Sequence, residues 1–293
     1  MNMDKLYEKV AEKGHVCVGL DTCIDFVPQA ERQKYANDAQ AVLAYNKALI
    51  DATFDVCACF KVQIAYYEEM GLEGLNAYIK TLEYIRSKGA LAIADIKRGD
   101  IADTALRYAK AHLTGEFAAD FVTLMPYMGL DSLDPWLKEA HANGKGAFVL
   151  MRTSNPGMRD FQYLDVGGRR LYNVVGGRMS SLAQQYMGKN GYGMFGVVVG
   201  CTEKDEAKQI RKDHPDLFFL IPGYGAQGGS AENVALLLRD SNGGVVNASR
   251  SIISAWKNNE KEADNIIAAN AARCATMKMR DDILEAIGND KRC

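Results

Sequence analysis

The chain has 293 residues, of which 48% are hydrophobic and 25% are charged, with only 6 prolines. This composition is typical of an ordered globular protein and excludes a disordered or fibrous chain. The formal net charge is −2, and no long run of lysine or arginine occurs, so a nucleic-acid partner is not expected.

The first predicted element is an amphipathic helix over residues 2–14. It carries both acids and bases and lacks the apolar stretch of a signal peptide, and no run of about 18 apolar residues follows. We therefore expect a cytoplasmic location without membrane contact. The 7 cysteines lie mostly in apolar runs, which is typical of reduced core thiols.

Short apolar runs and helical patterns alternate along the chain. Continuous apolar runs are typical of strands in a parallel sheet that is covered on both faces. Eight such units predict an α/β fold, namely a (β/α)₈ or TIM barrel that forms a single domain over 1–293. An open doubly wound sheet is the alternative, but the glycine-rich turn that follows its first strand is missing. The predicted strands are 15–20, 56–62, 90–95, 119–124, 146–151, 194–200, 217–221 and 244–249; the predicted helices are 37–54, 71–88, 102–115, 131–143, 203–213, 230–240 and a last outer helix at 260–288.

The longest interruption of this pattern is 152–178, between the fifth and sixth strands. Connections of this length inside a compact domain are usually lids or binding loops, so we predict a lid here. A disordered surface excursion is the alternative.

Charged side chains stand at the ends of the first three strands, where a barrel builds its active site. Asp21 ends the first strand, Lys61 the second, and Asp95 and Lys97 the third. Residues two apart in a strand share a face, so Asp95 and Lys97 are expected to point together toward the mouth, with Asp100 after the next turn. A lysine between carboxylates is stabilised as the ammonium and is suited to donate a proton. A solvated salt-bridge cluster is the alternative.

A second set of features follows the last two strands. The glycine-rich stretch "PGYGAQGG" occupies 222–229, and Arg250 follows the eighth strand. Barrels commonly bind a phosphate with the loops after these strands, using backbone N–H groups and a cation. The sequence therefore predicts a phosphorylated ligand, with tight turns alone as the alternative.

Together these motifs resemble the orotidine 5′-phosphate decarboxylase family, in its longer bacterial-type form. The resemblance covers nearly the whole chain and is carried by "VGLDT", "CFKVQ", "DIKRGDIADT", "SNPG", "PGYGAQGG" and "SRS". It implies removal of CO₂ from C6 of orotidine 5′-phosphate to give UMP in pyrimidine biosynthesis. It also implies that the reaction needs neither a metal nor an organic cofactor.

The resemblance further implies a role for each matching residue. Lys97 protonates C6, and Asp95 lies close to the departing carboxylate. Lys61 and Asp21 contact the ribose and hold the charge array. The remaining residues are Asp100 and Thr104, which enter from the partner subunit of a homodimer, Ser154 and Pro156 in the base-contacting loop, and Gln227, Gly228, Ser249 and Arg250 at the phosphate.

Two other functions fit the same barrel. A Mg²⁺-dependent relative, resembling hexulose-phosphate synthase or keto-gulonate-phosphate decarboxylase, usually has a further acid after strand two, where Lys61 and Gln63 stand here. A catalytically silent nucleotide-binding barrel would gain nothing from the charge array, because buried charges are costly. The adjacent Tyr66 and Tyr67 are expected to pack in the core rather than to line the mouth.

Overall fold

A computed structural model describes residues 1–225, 228–258 and 263–290. Parallel strands close into a barrel, as the sequence predicts. The barrel strands are β1 Val16–Leu20, β2 Cys59–Gln63, β3 Leu91–Arg98, β4 Phe121–Leu124, β5 Gly146–Arg152, β8 Phe195–Val199, β9 Phe219–Ile221 and β10 Gly244–Ala248, while β6 Asp165–Val166 and β7 Arg169–Arg170 form a separate hairpin. Around the barrel the order is β1-β10-β9-β8-β5-β4-β3-β2, which confirms the (β/α)₈ prediction.

Helices connect the strands and form the outer layer. Two predicted helices differ from the structure. The one at 230–240 already ends at residue 235, where the N–H groups of Leu237 and Leu238 bond three residues back, to Val234 and Ala235, in turns. The last begins where the Asp264 carboxylate accepts a hydrogen bond from the Ile267 N–H. Residues 260–262 of that prediction lie outside the described residues. The helices are α1 Asn2–Lys13, α2 Gln29–Arg32, α3 Asp38–Thr53, α4 Ala65–Glu68, α5 Gly71–Ser87, α6 Ala102–Leu113, α7 Asp134–Ala142, α8 Met158–Phe161, α9 Leu171–Ala183, α10 Lys204–Asp213, α11 Ala231–Ala235, α12 Arg250–Ile253 and α13 Asn265–Asp290.

The alternation of side chains in β3 sets the character of the barrel interior. Leu91 and Ile93 pack inside the barrel with the apolar side chains of other strands. Asp95 and Lys97, which follow at the same two-residue period, lie at the carboxyl end of the strand. The interior is therefore apolar at one end and charged at the other. The residues between them pack against the outer helices: Ala92, Ala94 and Ile96.

Helix α1 covers the amino-terminal end of the barrel. Its apolar residues Met3, Leu6 and Val10 belong to the same buried cluster as the barrel interior. The Asn2 side chain donates to Asp120 Oδ1 at 3.0 Å, just before β4. With this end covered, a ligand has to approach the barrel from the carboxyl ends of the strands.

The predicted lid at 152–178 contains more regular structure than a loop. Strand β5 runs to Arg152, α8 and the β6–β7 hairpin follow, and α9 already begins at Leu171. Gly176 of α9 lies so close to His214 that a Cβ would overlap the imidazole. The glycines thus pack in a helix rather than opening a loop, and the irregular connection ends at residue 170. The buried residues of α9 recur at helical spacing: Tyr172, Gly176, Met179 and Ala183.

No helix within the described ranges combines the length and hydropathy needed to cross a membrane.

Candidate active site

Four charged side chains alternate in sign across the ends of β1, β2 and β3. Lys61 Nζ lies 2.9 Å from Asp21 Oδ1 and 2.9 Å from Asp95 Oδ2. Lys97 Nζ lies 2.6 Å from the other oxygen of Asp95, Oδ1. The order Asp21, Lys61, Asp95, Lys97 forms a continuous set of ion pairs, which we call the charge array.

Burial differs along the charge array, and the ion pairs keep its buried groups ionised. The Lys61 and Asp95 side chains are 6% and 8% exposed, whereas Lys97 is 46% exposed. Burial alone would lower the pKa of Lys61, but Asp95 and Asp21 raise that pKa above its ordinary value. Burial likewise opposes ionisation of Asp95, yet Lys61 and Lys97 hold the pKa of this carboxyl well below its usual range. Both buried groups are therefore charged at neutral pH.

The strand register explains why these side chains meet. Gly19 of β1 pairs with Lys61 of β2, and a Cβ on Gly19 would overlap Ser249 Oγ. The missing side chain lets the Ser249 hydroxyl reach over β1 and donate to Asp21 Oδ2 at 2.8 Å. Asp21 therefore accepts hydrogen bonds from both sides, and the residue after β10 is connected to the charge array.

A cavity of about 270 Å³ opens above the charge array. Lys97 points into it and not away from the barrel, and Ser154 of the β5 loop faces it from the other side. This places two carboxylate-paired lysines and the Ser154 hydroxyl around one small space. The cavity is lined by Lys61, Asp95, Lys97, Thr123, Leu150, Thr153, Ser154, Asn155, Val198, Leu220, Pro222 and Asn247.

A second cavity of about 270 Å³ shares Pro222 and Asn247 with the first. Arg250 lines it and, among the described residues, makes no salt bridge with an acid. Gly223 opposite has φ near +100°, a left-handed conformation that favours glycine. The guanidinium thus faces a polar space next to the charge array. Its lining is Asp21, Phe26, Tyr66, Pro222, Gly223, Tyr224, Asn247, Ala248, Ser249, Arg250 and Ser251.

The two neighbouring tyrosines have different roles. Tyr67 is buried and accepts a hydrogen bond from Asn46 at 2.8 Å, as expected for a core residue. Tyr66 is partly buried and packs against the core, but it also lines the second cavity, so it lines the mouth as well as packing. Helix α4 turns successive side chains by about 100°, so one of the pair faces inward and the next faces the mouth.

A larger cavity of about 660 Å³ lies beside the mouth and includes Tyr66. Four carboxylate side chains line it: Asp25, Asp38, Glu69 and Glu73. These acids would repel a phosphorylated ligand, whereas the smaller cavities offer lysine and arginine. We therefore assign the candidate site to the two smaller cavities.

Several predicted site residues lie apart from the cavities. Asp100 is half-buried and accepts a hydrogen bond from the Ile101 N–H at 2.8 Å; it forms no salt bridge within the chain as described. Thr104 is exposed on the first turn of α6. Pro156 and Gly228 lie in the loops next to the lining residues, and Gln227 lies outside the described residues.

The loop that carries Ser154 is held by two residues that the sequence did not single out. The Gln162 side chain accepts from the Thr153 N–H at 2.8 Å and donates to Thr153 Oγ1 at 2.9 Å. Gly200, after β8, lets Ser154 approach, since a Cβ there would lie 2.9 Å from the Ser154 Cβ. These contacts join residues 9 and 46 positions apart, which no local motif reveals.

Thr123 and Asn247 were also missed, although both line the first cavity. Each is a polar residue inside an apolar run, "FVTL" and "VVNAS", at an inward-facing position two residues after an apolar interior residue. A polar residue at an inward-facing position of a barrel strand is the sequence pattern that could have identified them.

The carboxylates at this site are already paired with lysine. Within the described ranges, no group of three or more His, Cys, Asp or Glu side chains is arranged to hold a metal ion. Between Asp21 and Asp95 stands the Lys61 ammonium, 2.9 Å from each.

Comparisons with known proteins agree on one family. The family model for the orotidine 5′-phosphate decarboxylase / HUMPS family matches residues 14–266. The chain is 55% identical over 288 residues to orotidine 5′-phosphate decarboxylase of Clostridium perfringens strain 13, covering 98% of this chain and 99% of that protein. It is 50% identical over 290 residues to the Clostridium tetani enzyme of the same name, covering 99% and 100%. The solved structure of Leishmania donovani OMP decarboxylase superposes with a TM-score of 0.77 at 32% identity, covering 98% of each chain.

Proposed function

The chain belongs to the orotidine 5′-phosphate decarboxylase / HUMPS family, and on this basis we propose that Lys97 protonates C6 of orotidine 5′-phosphate as CO₂ leaves. The reaction, which yields UMP in pyrimidine biosynthesis, follows from the family. The observation that carries the role of Lys97 is its position in the charge array, 2.6 Å from Asp95 and facing the first cavity.

The two connected cavities match the two ends of this substrate. The 5′-phosphate belongs in the cavity of Arg250, because this guanidinium, which pairs with no acid among the described residues, offers charged hydrogen bonds to phosphate. The pyrimidine then extends toward Lys97 and Ser154. Asp21 and Lys61 stand between the two ends, where the ribose hydroxyls would lie.

The chemical difficulty of the reaction is the electron pair left on carbon. The bond from C6 to the carboxylate breaks, CO₂ leaves, and the pair stays in the plane of the ring, where no electron sink accepts it. The Lys97 ammonium stabilises this charge and donates a proton to C6, giving UMP. Solvent then reprotonates the amine. Enzymes lower such barriers by about 8–23 kcal/mol, and preorganised charge supplies much of that effect.

Asp95 has two effects in this scheme. Its carboxylate pairs with Lys97 and so orients the proton donor. It also places a buried negative charge beside the substrate carboxylate, which disfavours the bound substrate relative to the transition state in which CO₂ has begun to leave. Lys61 keeps Asp95 ionised despite its burial.

We propose that the active unit is a homodimer and that Asp100 and Thr104 reach the site of the partner subunit. Thr104 lies in the first turn of α6 and Asp100 just before it, and both are close in sequence to exposed apolar side chains. Such a patch is unusual on a monomer surface and favours a second copy of this chain as its partner. The exposed apolar residues after β3 and β4 are Ile101, Tyr108, Met125, Tyr127, Met128 and Leu130.

The assay that tests the reaction follows the ultraviolet absorbance of orotidine 5′-phosphate with purified protein and EDTA. We expect full turnover with EDTA present. Lys97→Ala should abolish turnover and leave UMP binding measurable, because the phosphate and ribose contacts remain. Lys80→Ala, which removes an exposed lysine of α5, should leave turnover unchanged.

Other outcomes would favour other functions. Loss of turnover on adding EDTA would favour the Mg²⁺-dependent relative. UMP binding by the wild-type protein without any turnover would favour a silent nucleotide-binding barrel. Wild-type turnover in Lys97→Ala would refute the role of Lys97 as the proton donor.

A further inference from the structure

We propose that Thr123 is a positioning residue that locks Asp95 and Lys97 into their reactive arrangement through a single hydroxyl group. The inference rests on the proposed function, because it assigns a role in the same reaction. Thr123 lies in β4, is 1% exposed and lines the first cavity.

The pairing of β3 with β4 creates the need for this hydroxyl. The register is regular at Ile93 and Ala94, which pair with Phe121 and Val122, but then shifts, so that Arg98 pairs with Leu124. Four steps along β3 therefore correspond to two along β4. Such a bulge leaves backbone groups without their regular ladder partners. A buried N–H group without a partner is costly, so these groups need another acceptor.

Thr123 supplies that acceptor. Its Oγ1 accepts hydrogen bonds from the N–H of Ile96 at 3.0 Å and from the N–H of Lys97 at 2.9 Å. A hydroxyl has two acceptor sites and one proton to donate. With both acceptor sites used, the proton points to Asp95 Oδ1, which lies 2.9 Å away.

Three donors thereby fix the Asp95 carboxylate. Oδ1 accepts from Thr123 and from Lys97 Nζ, and Oδ2 lies 2.9 Å from Lys61 Nζ. The same hydroxyl also holds the backbone at Lys97, whose φ is +44°. Left-handed backbone is unfavourable for a lysine and persists where the surroundings enforce it. Thr123 thus couples the backbone that carries the proton donor to the carboxylate that orients it.

The expected consequence of losing this hydroxyl is a loss of rate rather than of affinity. Thr123 does not line the second cavity, where Arg250 is proposed to bind the phosphate. A misplacement of about 1 Å at the reacting groups costs about a hundredfold in rate. We expect Thr123→Val to lower kcat about 10- to 100-fold and to change KM and UMP affinity less than about threefold. Thr123→Ser keeps the hydroxyl and should restore most of kcat.

A second readout reports the positioning itself. Amide protons of Ile96 and Lys97 should exchange about tenfold faster in Thr123→Val than in the wild type, and should be protected again in Thr123→Ser. The matched control is Thr276→Val, a buried threonine of α13 whose hydroxyl donates to the Ala272 carbonyl at 2.8 Å. It loses a comparable hydrogen bond and should retain both kcat and the exchange rates at residues 96 and 97.

The outcomes separate this inference from the proposed function. Wild-type kcat in Thr123→Val, or a serine variant as slow as the valine variant, would overturn the positioning role while the reaction stands. A wild-type protein without turnover would overturn the proposed function and this inference with it. Should Thr123→Val not fold, Thr123→Ala, which also lacks the hydroxyl, is measured in the same way against Thr123→Ser.

Discussion

In the proposed function, Arg250 contributes to binding without touching the reacting atoms. It is exposed, lines the second cavity and follows β10 by two positions, next to Ser249, which donates to Asp21. Energy gained by binding the phosphate there would help to hold the pyrimidine in the charge array. Ser249 and Arg250, adjacent residues after β10, thus connect the second cavity to the charge array.

We predict that Arg250→Ala mainly weakens substrate binding. A charged hydrogen bond contributes about 1.5–3 kcal/mol, which corresponds to an increase in KM of about 10- to 150-fold. Steady-state kinetics with orotidine 5′-phosphate measure this change. Arg86→Ala removes an exposed arginine in the last turn of α5 and should leave KM unchanged. An Arg250→Ala enzyme with unaltered KM and UMP affinity would show that the phosphate binds elsewhere.

Two buried histidines predict how stability depends on pH. Burial lowers the pKa of His15 to about 4 and that of His112 to about 4, below the ordinary 6.5 of the unfolded chain. The unfolded state therefore binds more protons between pH 6.5 and about 4. Each histidine contributes stability that is present above pH 6.5 and is lost as the pH falls through this window, on the order of 3 kcal/mol for each histidine.

The His112→Leu variant tests this dependence. His112 stacks on Trp136, and its Nδ1 has no hydrogen-bond partner among the described residues, so leucine is tolerated. The free energy of unfolding, measured with denaturant, should fall less between pH 7 and pH 4.5 in the variant than in the wild type. His141→Leu, at an exposed position, should behave like the wild type. Equal losses of stability in His112→Leu and wild type would show that His112 does not cause the pH dependence.

At the scale of elements, the connection from β5 to α9 combines an ordered beginning with an exposed tip. Thr153 is held by Gln162, and Tyr163 donates to Glu206 at 2.5 Å. Beyond these anchors, Leu164 and Val166 are exposed. We propose that the tip acts as the lid and that the anchored part presents Ser154 to the base.

We predict that Gln162→Ala weakens substrate binding more than it slows the reaction. The variant removes two hydrogen bonds to Thr153, so the loop has to be ordered at the expense of binding energy. An increase in KM of about 3- to 30-fold is expected from the usual contribution of such bonds. Steady-state kinetics provide the measurement, with Gln209→Ala on α10 as the control. If kcat falls while KM is unchanged, the loop has a direct part in the chemistry instead.

At the scale of the whole molecule, the chain on its own leaves the charge array with one carboxylate beside Lys97. The Asp100 carboxylate accepts a hydrogen bond from the N–H of the next residue, Ile101, and forms no ion pair with Lys97. The residues after β3 and β4 include several exposed apolar side chains. The proposed homodimer would cover this surface and bring Asp100 to the partner's site.

Mixing two inactive variants tests this arrangement. Lys97→Ala and Asp100→Ala should each be inactive alone, but a mixed dimer holds one site with both changes and one site with neither. Random mixing then restores about a quarter of wild-type activity, because half of the dimers carry one intact site of two. Mixing Lys97→Ala with Asp95→Ala is the control, since both residues belong to one chain's site and no intact site forms. If the first mixture stays inactive, Asp100 acts within its own subunit or has no role.

The sequence alone determined the barrel and where most charged groups of the candidate site lie. Continuous apolar runs and helical spacing are local properties, and they predicted the strands within a few residues. Charges at the ends of such runs cannot be buried in the apolar interior, so Asp21, Lys61, Asp95, Lys97 and Arg250 could be placed at the mouth from the sequence. The helix at Leu171–Ala183 was missed because its paired glycines suggested a loop.

Only the tertiary structure decided which partners these residues have. Lys61 stands between Asp21 and Asp95, and Ser249 reaches Asp21, because the strand register and the bare Gly19 bring them together. Thr123 meets Asp95 and Lys97 because the pairing of β3 with β4 shifts by two residues at that point. Register and bulges arise from how distant strands pack, so they leave no local pattern in the sequence. For that reason the sequence determined where the charged groups gather, and the folded barrel determined how they are held.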